Sequence, residues 1–434
     1  MNLTPLWHHG SYLSTVWDDM QSRGVPVHIA SLRQLAADLE SSMRGIGATL
    51  SYNFWGGLPF NPNSPPQVEE LLRRRGLVGL ERNSKGGYST SKKSIEGLRY
   101  TDPALAMVFD WREHEHMLSS FIWPTLDDIP DDYTGTHWRL RGRIKNTRTT
   151  SRRLAAEEPN PLAWPKHSKL AKRLRACCSA PDGFRILAAD YSQIEVRGMA
   201  NASGDRLMCD IFNRDPARYS KLDRDFHIQT ASHLFGVAPA DVDDDSQRTP
   251  SKRITFGVGY GLRGHGLAAQ LQSFGITGWP EDRCEEFIRE WYRLYSGFAR
   301  YAEDCAREAK RTGICFDEWG MPRYVPGVWS RTPKIAAESA RHFVSHRIQG
   351  WAQGLIQNAM RALKPVILDW QDNGLPIYWL LQEHDALVFE AGEDTVDTVK
   401  PVIVNAMVHH HGLRTCKVPI EVDVKVTKAW GSKS

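Results

Sequence analysis

What most constrains this chain is a pair of aspartates at strand ends, separated by a long stretch patterned as helix. Phe184-Arg185-Ile186-Leu187-Ala188-Ala189 is an apolar run that predicts a buried strand, and it ends at Asp190. Residues 378–382 and 386–390 predict two more short strands, with Glu383-His384-Asp385 between them as a hairpin carrying Asp385 at its turn. Between these sites the pattern is helical from Ile194 to about Arg311, with breaks at Gly204, Gly236 and Gly275. Two further helices are predicted at 334–349 and 355–370, and a helix at 394–409 and a strand at 420–426 follow the hairpin. Strands at both ends of a helical insertion describe an α+β chain, one sheet domain with helices inserted into it.

The region before the first strand has a different texture. Residues 27–43 place Leu32, Leu35, Ala36 and Leu39 on one helical face. Phe60-Asn61-Pro62-Asn63-Ser64-Pro65-Pro66 is a turn-rich loop leading into a short helix at 68–75, Lys85-Gly86-Gly87 is a second loop, and a helical segment at 103–123 closes this part. With 434 residues, 41% hydrophobic and 24% charged, the chain has ordinary globular composition and room for two or three domains. No apolar run is long enough to span a bilayer, which argues against a membrane protein. Met1 to Trp17 lacks a signal pattern, and the seven cysteines have no metal-ligand spacing; both point to a cytoplasmic protein with reduced thiols. His409-His410-His411 reads as a polar helix end before it reads as a metal site.

Net charge is only +4, but its distribution is uneven. Arg139, Arg141, Arg143, Lys145, Arg148, Arg152 and Arg153 crowd one stretch, and Lys166, Lys169, Lys172, Arg173 and Arg175 follow. Such a segment is either a solvated face or a local track for a polyanion. Asp190 and Asp385, each beside an apolar strand, are what two-metal phosphoryl chemistry needs, although either one alone also reads as a turn former. Lys252, Phe256 and Tyr260 recur every four residues, so they share one helical face. A cation followed by two aromatics suits a triphosphate, its sugar and its base; without the lysine it would read as a core stripe. Thr249-Pro250 looks like an N-cap with proline at the first helical position, which leaves Arg248 in the loop before it.

Taken together, these segments resemble the DNA polymerases of the A family. Asp190-Tyr191-Ser192-Gln193-Ile194-Glu195-Val196-Arg197 is similar to the family's motif A. Arg248, Lys252, Phe256 and Tyr260-Gly261 stand at motif B spacing, and Gln382-Glu383-His384-Asp385 is similar to motif C. Thr147 to Leu154 with Pro159-Asn160, Asp225-Phe226-His227, Arg323-Tyr324-Val325-Pro326 and Gln349-Gly350 fit further landmarks, and Ser89-Thr90-Ser91 and Arg112-Glu113 fit a thumb. The resemblance implies a right-hand polymerase fold with an antiparallel palm sheet, helical fingers and a helical thumb. It divides the chain into an N-terminal palm segment (1–30), thumb (31–128), palm (129–200), fingers (201–339) and palm again (340–434).

It also implies roles. Asp190, Asp385 and Lys252 would be catalytic, with Asp190, Asp385 and the backbone of Tyr191 holding two Mg²⁺ ions, or Mn²⁺ in substitution. Arg248, Lys252, Phe256, Tyr260, His227, Gln193 and Glu195 would bind the dNTP, Glu195 filling the space beside C2′. Arg153 and Gln349 would read minor-groove acceptors common to all base pairs, and Arg148, Arg152, Asn160, His384, Arg341 and Arg112 would hold primer-template DNA. The implied protein is a monomeric DNA polymerase without 3′–5′ proofreading, since the thumb-like region begins within about thirty residues of Met1. A separate exonuclease or replication accessory protein is the implied partner, in a bacterial cell or phage-infected host. Asp38-Leu39-Glu40 has an exonuclease-like spacing but sits within the amphipathic pattern of a helix.

Some positions depart from the family. Ala386 stands where a glutamate usually follows the motif C aspartate, Ser345 replaces an asparagine, Leu162-Ala163 replaces a Gln-Asn pair, and His116 stands where lysine is common. These changes imply an active enzyme that holds DNA less tightly than its relatives. A ribonucleotide-using polymerase and a non-catalytic primer-template scaffold remain the alternatives; Glu195 argues against the first, and the two aspartates with the Lys252 face argue against the second.

Overall fold

The computed structural model describes residues 4–77, 82–83, 86–145, 149, 152–166, 168–273, 276, 278–409, 412 and 416–431. At its centre is a four-stranded antiparallel sheet of β1 (Phe184–Tyr191), β2 (Ile377–Glu383), β3 (Ala386–Gly392) and β4 (Val422–Thr427), in the order β4-β1-β3-β2. The predicted hairpin is β2-β3, with His384 and Asp385 as its two-residue turn. In β1 the pleat sends Leu187, Ala189 and Tyr191 to one face and Ile186, Ala188 and Asp190 to the other. The first face is dry. Leu355, Ala359, Leu363, Ile403 and Met407 cover it, with Val16, Trp17 and Met20 of the N-terminal helix. The second face is covered at one end by Leu32, Leu35, Leu170, Leu174 and Cys178, and its other end carries Asp190.

The main helices in chain order are α1 (Thr4–Arg23), α2 (Ile29–Phe54), α3 (Pro103–Met117), α4 (Lys169–Ala176), α5 (Ile194–Ser203), α6 (Phe226–Phe235), α7 (Thr249–Gly259), α8 (Glu281–Leu294), α9 (Ser296–Thr312), α10 (Pro333–Asp372) and α11 (Val396–His409). The helix expected over 27–43 is displaced. Val25–His28 is instead a strand paired with His137–Leu140, and His28 caps α2 by accepting from the Ser31 N–H. Gly204 and Gly236 end α5 and α6 as expected, at φ 63° and 69°, a conformation glycine adopts without strain. Gly275, His410 and His411 lie outside the described residues.

The two helices expected at 334–349 and 355–370 are one, the 40-residue α10. Gly350 and Gly354, which lie between the two expected helices, are there for close approach. A Cβ on Gly350 would meet the Asp317 carboxylate at 2.4 Å, and one on Gly354 would meet the Trp319 indole nitrogen at 2.0 Å. The helices of the long insertion bury an aromatic core of Phe226, Trp291, Tyr295 and Phe298, where the hydroxyls of Thr230 and Tyr295 meet at 2.7 Å. The first helical region has its own small core of Leu50, Val68, Leu72, Leu105 and Val108.

Candidate active site

The two aspartates come together because their strands are neighbours. Asp190 pairs with Ala386 in the β1-β3 register, and the Tyr191 N–H donates to the Asp385 carbonyl at 3.2 Å. His384 takes a left-handed φ of 54°, the sign required at the first position of a two-residue hairpin turn, and so places Asp385 at the sheet's end. Burial pushes the Asp385 carboxyl up to about 6, helped by the charges of Glu195 and Asp190 and opposed by Arg153. Burial raises Asp190 as well, against the pull of Lys166. Two carboxylates whose charged forms burial disfavours, one of them also pressed by the other, suit a divalent cation. Among the described residues no third His, Cys, Asp or Glu converges on them. That donor set fits Mg²⁺, which is held by one or two carboxylates and completed by phosphates and water.

Glu195 links this pair to the helical insertion. The chain leaves β1 through Gln193 at φ 51°, whose side-chain oxygen accepts the Phe226 N–H at 3.2 Å, and α5 begins at once. One oxygen of Glu195 accepts from Arg153 at 2.5 Å and the other from the Tyr260 hydroxyl at 3.1 Å. Arg153 also lies 3.5 Å from an Asp385 oxygen, and the Gln349 side chain reaches the Tyr260 hydroxyl. Five residues singled out in the sequence thus form one network.

A second cluster lies along α7. Asp225 caps α6 by accepting from the N–H groups of His227 and Ile228, and its other oxygen holds Arg248 at 2.9 Å. His227 packs against Phe256 with ring centroids 5.6 Å apart, and its Nδ1 is buried without a protein partner. Burial pushes His227 down to about 3, with Lys252 and Arg248 adding to the effect and Asp225 opposing it. Burial and the Arg248 and Arg253 cations likewise lower Lys252. Crowded cations beside an orphaned ring nitrogen favour an anion. The expected Thr249 cap is not formed: a π-turn over Asp244–Arg248 runs straight into α7, and Asp243 caps it by accepting from the Ser246 N–H. Arg248 therefore sits in continuous helical backbone, not in a loop.

Other expected contacts lie apart from these clusters. Arg152 turns inward at φ 62° and donates to Asp317 and to the Gly350 carbonyl. Arg112 donates to the carbonyls of Pro62 and Thr90, and Asn160 caps a short turn by accepting from the Ala163 N–H. Arg341 lies against Gly261 and, with Tyr260, Arg263 and Tyr292, lines a cavity of about 730 Å³. His384 is exposed in the turn, Ser345 donates to the His342 carbonyl, and Arg148 lies outside the described residues. Asp38 is paired with Arg173 and Gln34, and Leu39 is core. Sequence reasoning missed the partners of Glu383, which are Lys166 and Arg175. Both belong to the basic run, but nothing in their spacing points at β2.

An antiparallel sheet with paired aspartates, linked through Glu195 to a cationic helix, defines a right-hand polymerase module. Comparisons agree. The model of DNA polymerase family A matches residues 29–432, and the chain belongs to that family. It is 32% identical over 420 residues to the thermostable DNA polymerase I of Thermus filiformis, covering 96% of this chain and 47% of that protein. DNA polymerase I of Bacillus subtilis is 28% identical over 419 residues, covering 96% and 44%. The chain thus spans about half the length of these relatives. Among solved structures, the POL domain of Pol1 from M. smegmatis, in complex with DNA primer-template and dNTP, superposes with a TM-score of 0.82 at 25% identity, covering 97% of this chain and 70% of that one. Among the described residues no helix is long and apolar enough to cross a membrane.

Proposed function

We propose that this chain is a template-directed DNA polymerase that extends a primer 3′ end with dNTPs. The observation that carries this reading is the Glu195 network, which joins Asp385 to Tyr260 through Arg153. In the reaction a bond forms between the primer 3′-oxygen and the α-phosphorus, the bond to the bridging oxygen breaks, and pyrophosphate leaves. Mg²⁺, or Mn²⁺ in its place, supplies activation of the 3′-hydroxyl and charge neutralisation on the leaving group. Asp190 and Asp385 would hold the ions, with the backbone of Tyr191 beside them.

The chain's own residues would do the rest. Lys252, Arg248 and the neutral His227 face the triphosphate, Phe256 and Tyr260 shape the nascent pair, and Glu195 closes the space that a 2′-hydroxyl needs. The cavity beside Tyr260 and Arg341 has room for an unpaired template base. Arg153 and Gln349 test the pair from its minor groove, and the basic residues before motif A other than Arg152, Lys166 and Arg175 track duplex phosphates. On this reading residues 31–128 form the thumb, 201–339 the fingers and the remainder the palm. The protein works as a monomer on primer-template.

The deciding experiment extends a labelled primer on a DNA template with Mg²⁺, offering dNTPs or rNTPs, beside Asp385→Ala. Extension with dNTPs alone, lost in the variant, establishes the activity. Binding of primer-template without extension would overturn it in favour of the scaffold that Ala386 suggests.

A further inference from the structure

Three carboxylates stand in one cross-strand row at the end of the sheet. Asp423 of β4 pairs with Asp190, Asp190 with Ala386, and Ala386 with Glu383 of β2. Directly paired residues project to the same face, so Glu383 shares the face of Asp190, two strands and about 10 Å away. The family's glutamate is missing at position 386, and an acidic side chain stands directly opposite that alanine.

Glu383 is 8% exposed and holds two cations, Arg175 at 2.5 Å and Lys166 at 3.0 Å. Arg175 is fixed independently. It donates to the carbonyls of Trp164 and Pro165, each at 2.9 Å, and lies over the Trp430 ring. Lys166 is more exposed, and its charge already acts on Asp190.

We infer that Glu383 is a positioning residue for the metal-binding pair: by holding Lys166 it keeps that ammonium off Asp190, and it takes over, one strand across, the place of the glutamate that relatives carry after the motif C aspartate. The inference rests on the reading of Asp190 and Asp385 as metal ligands. Its physical basis is competition. A lysine on a flexible four-carbon stem re-pairs when its carboxylate is removed, and the next carboxylate in the row is Asp190. A divalent ion must then displace a resident cation.

The test is Mn²⁺ binding to the full chain without DNA, followed by the electron paramagnetic resonance of the free ion, with melting temperature measured in parallel. Glu383→Gln keeps an acceptor for Arg175 but loses the charge, and it weakens Mn²⁺ binding about tenfold, the usual scale for a group behind the ligands. Adding Lys166→Met restores binding, because the competitor is gone. Glu383→Ala combined with Ala386→Glu also restores it, and this pair serves if the glutamine variant folds poorly. Wild-type Mn²⁺ affinity in Glu383→Gln, or a loss that Lys166→Met does not relieve, overturns the inference. Asp385→Ala separates the two levels: if it leaves Mn²⁺ binding intact, it is the metal-site reading that fails.

Discussion

The Tyr260 hydroxyl donates to Glu195 across 3.1 Å, joining the end of α7 to the first turn of α5. Glu195 is thereby held from two sides, since Arg153 occupies its other oxygen. A carboxylate so fixed cannot swing away from an extra hydroxyl without breaking two bonds. Glu195→Ala should therefore raise ribonucleotide incorporation relative to deoxynucleotide by on the order of 10²-fold. Tyr260→Phe removes only one restraint, about 1 kcal/mol, and should relax the same ratio by roughly fivefold. Single-nucleotide kcat/KM for matched dNTP and rNTP pairs measures both. Equal ratios in wild type and Glu195→Ala would end the steric assignment.

His227 gives a prediction in pH. Its folded value of about 3 lies below the ordinary 6.5, so the unfolded chain takes up the proton first. The associated stability is present above pH 6.5 and is lost as pH falls from there toward 3, by about 1.4 kcal/mol per unit. His227→Gln has no such proton to take up. Between pH 7.5 and 5.5 wild type should lose about 1.4 kcal/mol more unfolding free energy than His227→Gln, measured by urea titration. Parallel pH dependences would show that His227 is charged in the folded protein.

Arg152 and Arg153 are neighbours with opposite fates. The left-handed backbone at Arg152 sends its guanidinium to Asp317, whose side chain is fully buried, while Arg153 turns to the active site. Arg152→Met leaves that carboxylate without its cation and should lower stability by about 3–5 kcal/mol. The salt dependence of primer-template binding should keep its slope, whereas loss of a phosphate contact would reduce it by about 0.9. Fluorescence anisotropy across a salt series, on protein held well below its melting temperature, distinguishes the two.

The legible parts of this chain were those where chemistry and pattern coincide locally. Apolar runs abutting Asp190 and Asp385 gave the strands and both carboxylates, and the four-residue spacing of Lys252, Phe256 and Tyr260 gave the helix α7, at whose end Tyr260 stands. The Arg152–Asp317 and Glu383–Lys166 pairs were not legible, because each joins segments far apart in the chain. Local backbone context misled twice: Thr249-Pro250 has the chemistry of a cap, but a preceding π-turn supplies helical backbone. Gly350 and Gly354 lie in the gap between the two expected helices, but α10 runs through it and a tertiary neighbour explains each glycine.

Those glycines can be set against a third that has no such neighbour. Gly47 lies inside α2, and a Cβ there meets nothing within 4 Å. Gly47→Ala gains helix propensity at no steric cost and should stabilise by about 0.5–1 kcal/mol. Gly354→Ala gains the same propensity, yet its methyl group falls 2.0 Å from Trp319 Nε1 and 2.1 Å from the adjoining ring carbon. The indole cannot simply retreat, because its N–H donates to the Trp351 carbonyl on the same helix at 3.1 Å. Displacing it should cost about 1–3 kcal/mol, enough to reverse the sign. Thermal melts of the two variants against wild type decide the matter: opposite shifts mean that Gly354 is kept for the approach of Trp319, and a shared upward shift means that the loop yields and the glycine is dispensable.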